Sequence, residues 1–215
     1  MFWATLEAPW QGCLSEAWAA YCAGSLPIGA VVTDAAGQIV ARGRNRILEP
    51  SAEEPCLHGN LLAHAEMNAL NAVDYRRVER HGCVLWTTTE PCPLCIGAAR
   101  MIGVQAIHYA SRDAAAGSID LLGANAFMRR RPIQATGPQR LDLEAIIVAL
   151  HVAVRLREDA ALENWVVAAW NTVVPAGVAL GRALHADGSL TALRAGGVPA
   201  PVVLDTLAAR LLAGG

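Results

Sequence analysis

The spacing of apolar positions changes along the chain, and each change of period marks a new element. Leu14, Ala17, Trp18 and Tyr21 recur at three- and four-residue intervals, which predicts an amphipathic helix over 13–23, preceded by Pro9-Trp10-Gln11-Gly12 and stopped by Gly24-Ser25. The run 28–33 is apolar and partly β-branched, 34–37 is turn chemistry, and Ile39-Val40-Ala41 resumes a strand, so the pattern predicts a β-hairpin. Asn45 follows its second strand directly, where the end of a sheet meets solvent or ligand. Over 47–62, Pro50, Ser51, Glu53, Glu54, Pro55, Gly59 and Asn60 break any period, and a long loop is expected.

Met67, Leu70 and Val73 line one side of a helix over 64–73, and 83–88 has the pattern of a buried strand. Pro91 is suited to open the next helix, over 92–101, because the first turn leaves its amide protons unpaired in any case. Gly103 ends it and 104–110 reads as a further strand, reached by a parallel crossover. Beyond Pro132, helical periods recur at 143–156, 161–170 and 203–212, separated by breaks at Pro175, Gly181, Gly188, Gly196-Gly197 and 199–201.

Two short motifs on this scaffold carry chemistry: His64-Ala65-Glu66 and Pro91-Cys92-Pro93-Leu94-Cys95. Residues two apart on a helix point about 200° apart, so His64 and Glu66 share a pocket only from an exposed first turn, where backbone N–H groups also face outward. Cys92 and Cys95, three apart, share one helix face. One imidazole and two thiolates hold a zinc ion with its fourth position open to water, and that water's pKa falls toward neutrality. A third thiolate or second His would close the metal, whereas Glu66 supplies a proton shuttle. Cys92 and Cys95 alone would fit a redox pair or half of a structural zinc site; joined to His64 and Glu66 they point to a hydrolytic centre with one Zn²⁺ per chain. A catalytically inert zinc-binding scaffold is the rival from another class, and zinc-dependent ammonia release separates the two.

The H-x-E and P-C-x-x-C pair resembles the zinc site of the cytidine deaminase-like superfamily. Thr87-Thr88-Thr89-Glu90 with the cysteine motif, and Leu26-Pro27-Ile28-Gly29-Ala30, look most like the branch holding bacterial tRNA adenosine deaminases and guanine deaminases; His64 to Ala69 is also similar to deoxycytidylate deaminases. The likeness runs from Leu26 to Asp120, with Arg112-Asp113 and Gly117-Ser118 matching the segment after the sheet. It implies an α/β fold, a three-layer α/β/α sandwich around a mixed sheet of about five strands. It also implies a hydrolytic deaminase that converts an exocyclic amine of a purine or pyrimidine base or nucleoside to a carbonyl. In that family pattern His64, Cys92 and Cys95 hold the zinc, Glu66 moves protons, and the Asn45 side chain with the Ala65 backbone amide holds the base. The 47–62 loop is longer than the matching connection in tRNA adenosine deaminases, and the Ala- and Val-rich tail lacks the aromatic, basic helix expected for tRNA contact.

The chain has 215 residues, so one domain with an elaborate terminus is expected: a deaminase domain over 1–135 and a helical extension over 136–215, packed on that domain or on a dimer partner. Only 17% of residues are charged and the net charge is −2, which offers no basic face for phosphate contacts and favours a small base or nucleoside over tRNA. Arg129-Arg130-Arg131 is then a solvated loop. The six cysteines are irregularly spaced in a chain too apolar to need disulfides, and the N-terminus shows no secretory pattern, so a reducing, cytoplasmic setting is expected. The uncharged run 164–181 barely reaches spanning length and is divided by Pro175 and Gly177, predicting buried helices and no membrane partner. Exposed apolar helices in the tail fit a homodimer or self-burial. Cys56, His58 and His108 are expected to be structural, and Ile28 and Trp86 are core residues that also stand near the expected pocket.

Overall fold

The computed structural model describes residues 1–53, 55–158 and 163–214. Its centre is a mixed sheet of β1 (Gly29–Thr33), β2 (Ile39–Arg44), β3 (Val84–Thr89), β4 (Ala106–Ser111) and β5 (Gln134–Thr136), in the order β2-β1-β3-β4-β5. β1 runs antiparallel to β2 and β3, whereas β3, β4 and β5 are parallel. Alternation along each strand sends side chains to opposite faces. Ala30, Val32, Leu85 and Ile107 pack on the face that carries α2 (Ala65–Asn71) and α3 (Pro93–Ile102). Val31, Trp86 and Ala110 pack on the other face, against α1 (Ala8–Cys22) and α5 (Leu141–Glu158). The expected α/β/α sandwich is therefore the observed one, extended by C-terminal helices.

Four features differ from expectation. α1 begins at Ala8, because Pro9 fits a first helical turn and the helix absorbs the residues placed before it. The proline that opens α3 is Pro93 rather than Pro91, with Cys92 as the residue before the helix. β5, the fifth strand of the expected sheet, carries no apolar alternation that would locate it in the sequence; it pairs Gln134, Ala135 and Thr136 with Ala106, Ile107 and His108. Arg129 and Arg130 end a short helix, α4 (Ala126–Arg130), instead of lying in a loop.

His108 stacks on Trp86 with ring centroids 4.4 Å apart, and Trp86 meets Trp10 edge-on, so both serve the core. Among the described residues Cys56 and His58 join no metal-binding group. The loop between β2 and α2 is fastened by buried Glu49, which accepts from Arg44 and Arg46, and by Asn68, which bonds both backbone groups of Leu57.

The C-terminal helices are α5, a π-helical turn at Glu163–Val167, α6 (Ala168–Val173), α7 (Pro175–Ala186), α8 (Ser189–Ala195) and α9 (Ala200–Ala213). The expected helix over 161–170 begins in residues outside the described ones. Pro175 opens α7, and no helix among the described residues is long and apolar enough to cross a membrane. The extension is tied to the sheet by polar contacts as well as by the core. Glu144 is buried and accepts from the Arg112 Nε (2.8 Å), Nη2 (2.9 Å) and backbone amide (3.1 Å). His151, also on α5 and buried, lies 3.0 Å from the Thr89 hydroxyl through Nε2 and packs against Trp170.

Two expectations follow. A Cβ on Gly43 would lie 2.2 Å from the Ala69 amide nitrogen, so only glycine lets β2 approach α2 this closely. Gly43→Ala should cost about 1–3 kcal/mol by displacing α2 and lower zinc retention, measured by thermal unfolding and metal content. Burial pushes His151 down to about 3, with Arg155 adding to the effect. An unfolded chain protonates that imidazole near pH ~6.5, so stability should be full above that pH and fall toward pH ~3, by up to about 1.4 kcal/mol per pH unit. Urea midpoints at about pH 4.5 and about pH 7.5 should differ less in His151→Gln than in the parent.

Candidate active site

α2 and α3 start side by side on one face of the sheet, and each is preceded by a side chain able to bind a metal. His64 stands before α2 in extended backbone (φ −72°, ψ 155°), and Cys92 stands before α3 in the same conformation (φ −73°, ψ 172°). That geometry turns both side chains away from their helices and toward each other. Cys95 follows on the first turn of α3, fully buried, and Glu66 on the first turn of α2, also buried.

The Nδ1 atom of His64 lies 3.5 Å from the Sγ of both Cys92 and Cys95, and the sulfurs are 3.7 Å apart. Bond lengths of about 2.0–2.3 Å from a tetrahedral zinc require its ligands to stand about 3.3–3.8 Å from each other. Donor set and spacing both fit that ion, and among the described residues this is the group able to hold a metal.

Charge in the cluster is set by its members. Hydrogen bonding with Cys95 and with His64 pulls Cys92 down to about 4 against the opposing effect of burial. Cys95 is pushed up by Cys92, by burial and by Glu66. The thiolate beside His64 raises the imidazole in turn. The peptide dipoles of α3 point their positive end at the same sulfurs.

Glu66 faces this charge from one side. Its Oε1 accepts from the Thr87 hydroxyl at 2.8 Å, and its Oε2 lies 3.4 Å from the Cys95 sulfur. Burial is the largest influence on the carboxyl and raises it, opposed by its own backbone amide and by Thr87. The side chain is thus held through one oxygen and has the other against the Cys95 sulfur.

His64, Glu66, Cys92 and Cys95 are brought together in the structure. Asn45 is buried, and its Oδ1 accepts from the Ser25 hydroxyl at 2.7 Å and the Ile47 amide at 3.2 Å. Ala65 is buried on the first turn of α2. Thr87 escaped sequence reasoning, although a hydroxyl inside an otherwise apolar strand was a usable signal. Glu90, whose carboxylate lies within 3.3–3.4 Å of the Ile119 and Asp113 amides, was missed as well.

Residues 5–111 match the family model described as the cytidine and deoxycytidylate deaminase zinc-binding region. The chain is 38% identical over 96 residues to the tRNA(Ile)-lysidine synthase of Deinococcus radiodurans, covering 44% of this chain and 15% of that protein. It is 33% identical over 98 residues to the guanine deaminase of Bacillus subtilis, covering 44% of this chain and 57% of that one. A solved structure from work on A-to-I editing by tRNA:A34 deaminases superposes with a TM-score of 0.50 at 25% identity, covering 60% of this chain and 96% of the other. The chain thus spans under a fifth of the synthase and little more than half of the guanine deaminase.

Cys92→Ser and Cys95→Ser should each lower zinc content well below one ion per chain, measured by elemental analysis after dialysis against a weak chelator. Stoichiometric zinc in both variants would remove these thiols from the site.

Proposed function

Because residues 5–111 of this chain belong to the cytidine and deoxycytidylate deaminase zinc-binding family, we propose that the protein is a zinc-dependent hydrolytic deaminase of a purine or pyrimidine base or nucleoside. The observation that carries the proposal is the Glu66 carboxylate, anchored by Thr87 and placed 3.4 Å from a sulfur of the His64, Cys92 and Cys95 group. A purely structural zinc knot has no use for a buried, aimed carboxylate, and burying one costs stability.

His64, Cys92 and Cys95 would hold the zinc. When bound, it supplies a Lewis acid that makes water acidic enough to act as a nucleophile near neutral pH. Glu66 takes the proton of the attacking water at Oε2 and delivers it to the ring nitrogen of the substrate. It then takes the remaining proton from the hydroxyl formed on the ring carbon and passes it to the departing amine. The C–N bond breaks, the water oxygen remains as the carbonyl, and ammonia leaves. Thr87 keeps the carboxylate from rotating away between these steps. The Ala65 amide and Asn45 would hold the base edge; since Asn45 Oδ1 is engaged by Ser25 and Ile47, its Nδ2 is the atom left for that contact.

Low charge favours a small substrate over a polynucleotide. The second possibility is adenosine in tRNA, supported by the 96% coverage of the editing-deaminase structure. Steep salt dependence of turnover would mark the tRNA substrate and a shallow one the small molecule.

Glu66→Gln should retain zinc and lose ammonia release by roughly 10²–10⁴-fold, measured on zinc-loaded protein against a panel of bases, nucleosides and a tRNA anticodon stem-loop. Full activity in this variant would contradict the mechanism.

A further inference from the structure

A cavity of about 200 Å³ is lined by residues that include Leu26, Ile28, Asp113, His151, Trp165 and Trp170. Three attachments link its lining to residues of the candidate site or to their chain neighbours. The Ile28 carbonyl accepts from the Asn45 amide at 2.9 Å. Thr89, bonded to His151, stands two residues and so about 7 Å along β3 from Thr87, the anchor of Glu66. The Asp113 amide lies 3.4 Å from the carboxylate of Glu90, which leads into Pro91-Cys92.

One wall therefore comes from the sheet and its loops, and the other from the C-terminal extension: His151 on α5, Trp165 on the π-helical turn and Trp170 on α6. The back of that second wall is rigid. Trp170 is buried and donates through Nε1 to the Arg112 carbonyl at 3.2 Å, and Arg112 is pinned to buried Glu144. Trp165 is its opposite, a rim residue that is 58% exposed. An indole left largely in water on the lining of a cavity, with no ring partner among the described residues, offers a stacking face, and bases stack on such faces.

The cavity also limits what enters. Pockets for drug-sized ligands run to roughly 300–1,000 Å³, so this space suits one flat ring system. The Asp113 carboxylate on its edge repels a phosphate, and Arg155, which also borders it, has partners of its own.

Building on the deaminase assignment above, we propose that this cavity receives the outer edge of the substrate base, that Trp165 stacks on it, and that the C-terminal extension thereby selects a free, unphosphorylated nucleobase. Trp165 is a specificity residue that takes no part in the proton transfers, so its loss acts on binding.

The test uses the full-length, zinc-loaded protein as parent, Trp165→Ala and Trp165→Phe. Turnover is measured on adenine, guanine and cytosine, on their nucleosides and 5′-monophosphates, and on a stem-loop RNA; binding of the three bases is measured by equilibrium dialysis. The parent should use a free base at least about tenfold better, in kcat/KM, than its monophosphate. Trp165→Ala should raise the KM and Kd for that base roughly tenfold, the loss of one stacking face, with kcat within about twofold of the parent, and Trp165→Phe should restore most of the affinity. An unchanged KM and Kd in Trp165→Ala overturns the stacking role while leaving the deaminase assignment standing, and a stem-loop as best substrate overturns the selection of free bases. If zinc-loaded parent turns over nothing, the deaminase assignment fails, and dialysis alone decides this proposal: base binding weakened in Trp165→Ala upholds it, and absent or unchanged binding ends it.

Discussion

Two helices that start side by side at one end of the sheet are the constraint on which the site depends. β3 and β4 are parallel, so α3 must begin where β3 ends, and Cys92 is delivered to that edge by chain connectivity. α2 begins at the same edge because Gly43 lets β2 lie almost against the backbone of Ala69. With both starts fixed, the residues ahead of each helix and on its first turn face one another. A metal triangle and a carboxylate then need only the right four side chains.

Holding that cluster costs free energy, and the structure spends polar contacts on it. Two sulfurs, an imidazole and a carboxylate at short range leave more buried charge than a folded core tolerates unpaired. The Thr87 hydroxyl and the amide end of Glu66 offset part of it, and the α3 dipole part of the thiolate charge. A divalent cation seated among ligand atoms 3.5–3.7 Å apart would neutralise what remains. The same edge is reached by the C-terminal extension, whose α5 contributes Glu144 to Arg112 and His151 to Thr89. Sequence that looks like an appendage is thus structurally continuous with the site.

Much of this was legible in the amino-acid sequence. Period-two and period-3.6 patterns located the strands and long helices, because burial on one face enforces them. The H-x-E and C-x-x-C spacings located the cluster, because a residue just before a helix and one on its first turn can converge on a facing pair. Local ambiguity hid other features. Pro91 and Pro93 are equally good helix openers, and only the extended backbone at Cys92 decides between them. β5 is three residues long, and its place follows from pairing with β4 rather than from its own side chains. The pairs Arg112 with Glu144 and Thr89 with His151 span 32 and 62 residues, a separation that no local pattern encodes. The cavity wall at Trp165 and Trp170 was invisible for the same reason, since those residues read as one apolar run.

The central claim is that His64, Cys92 and Cys95 together hold a catalytic zinc with an open position that Glu66 overlooks. Zinc K-edge X-ray absorption on the loaded protein tests it most directly. The account predicts two sulfur ligands, one imidazole nitrogen and one exchangeable oxygen that is lost on adding a competing small anion. Four protein ligands, or a shell with fewer than two sulfurs, would contradict it.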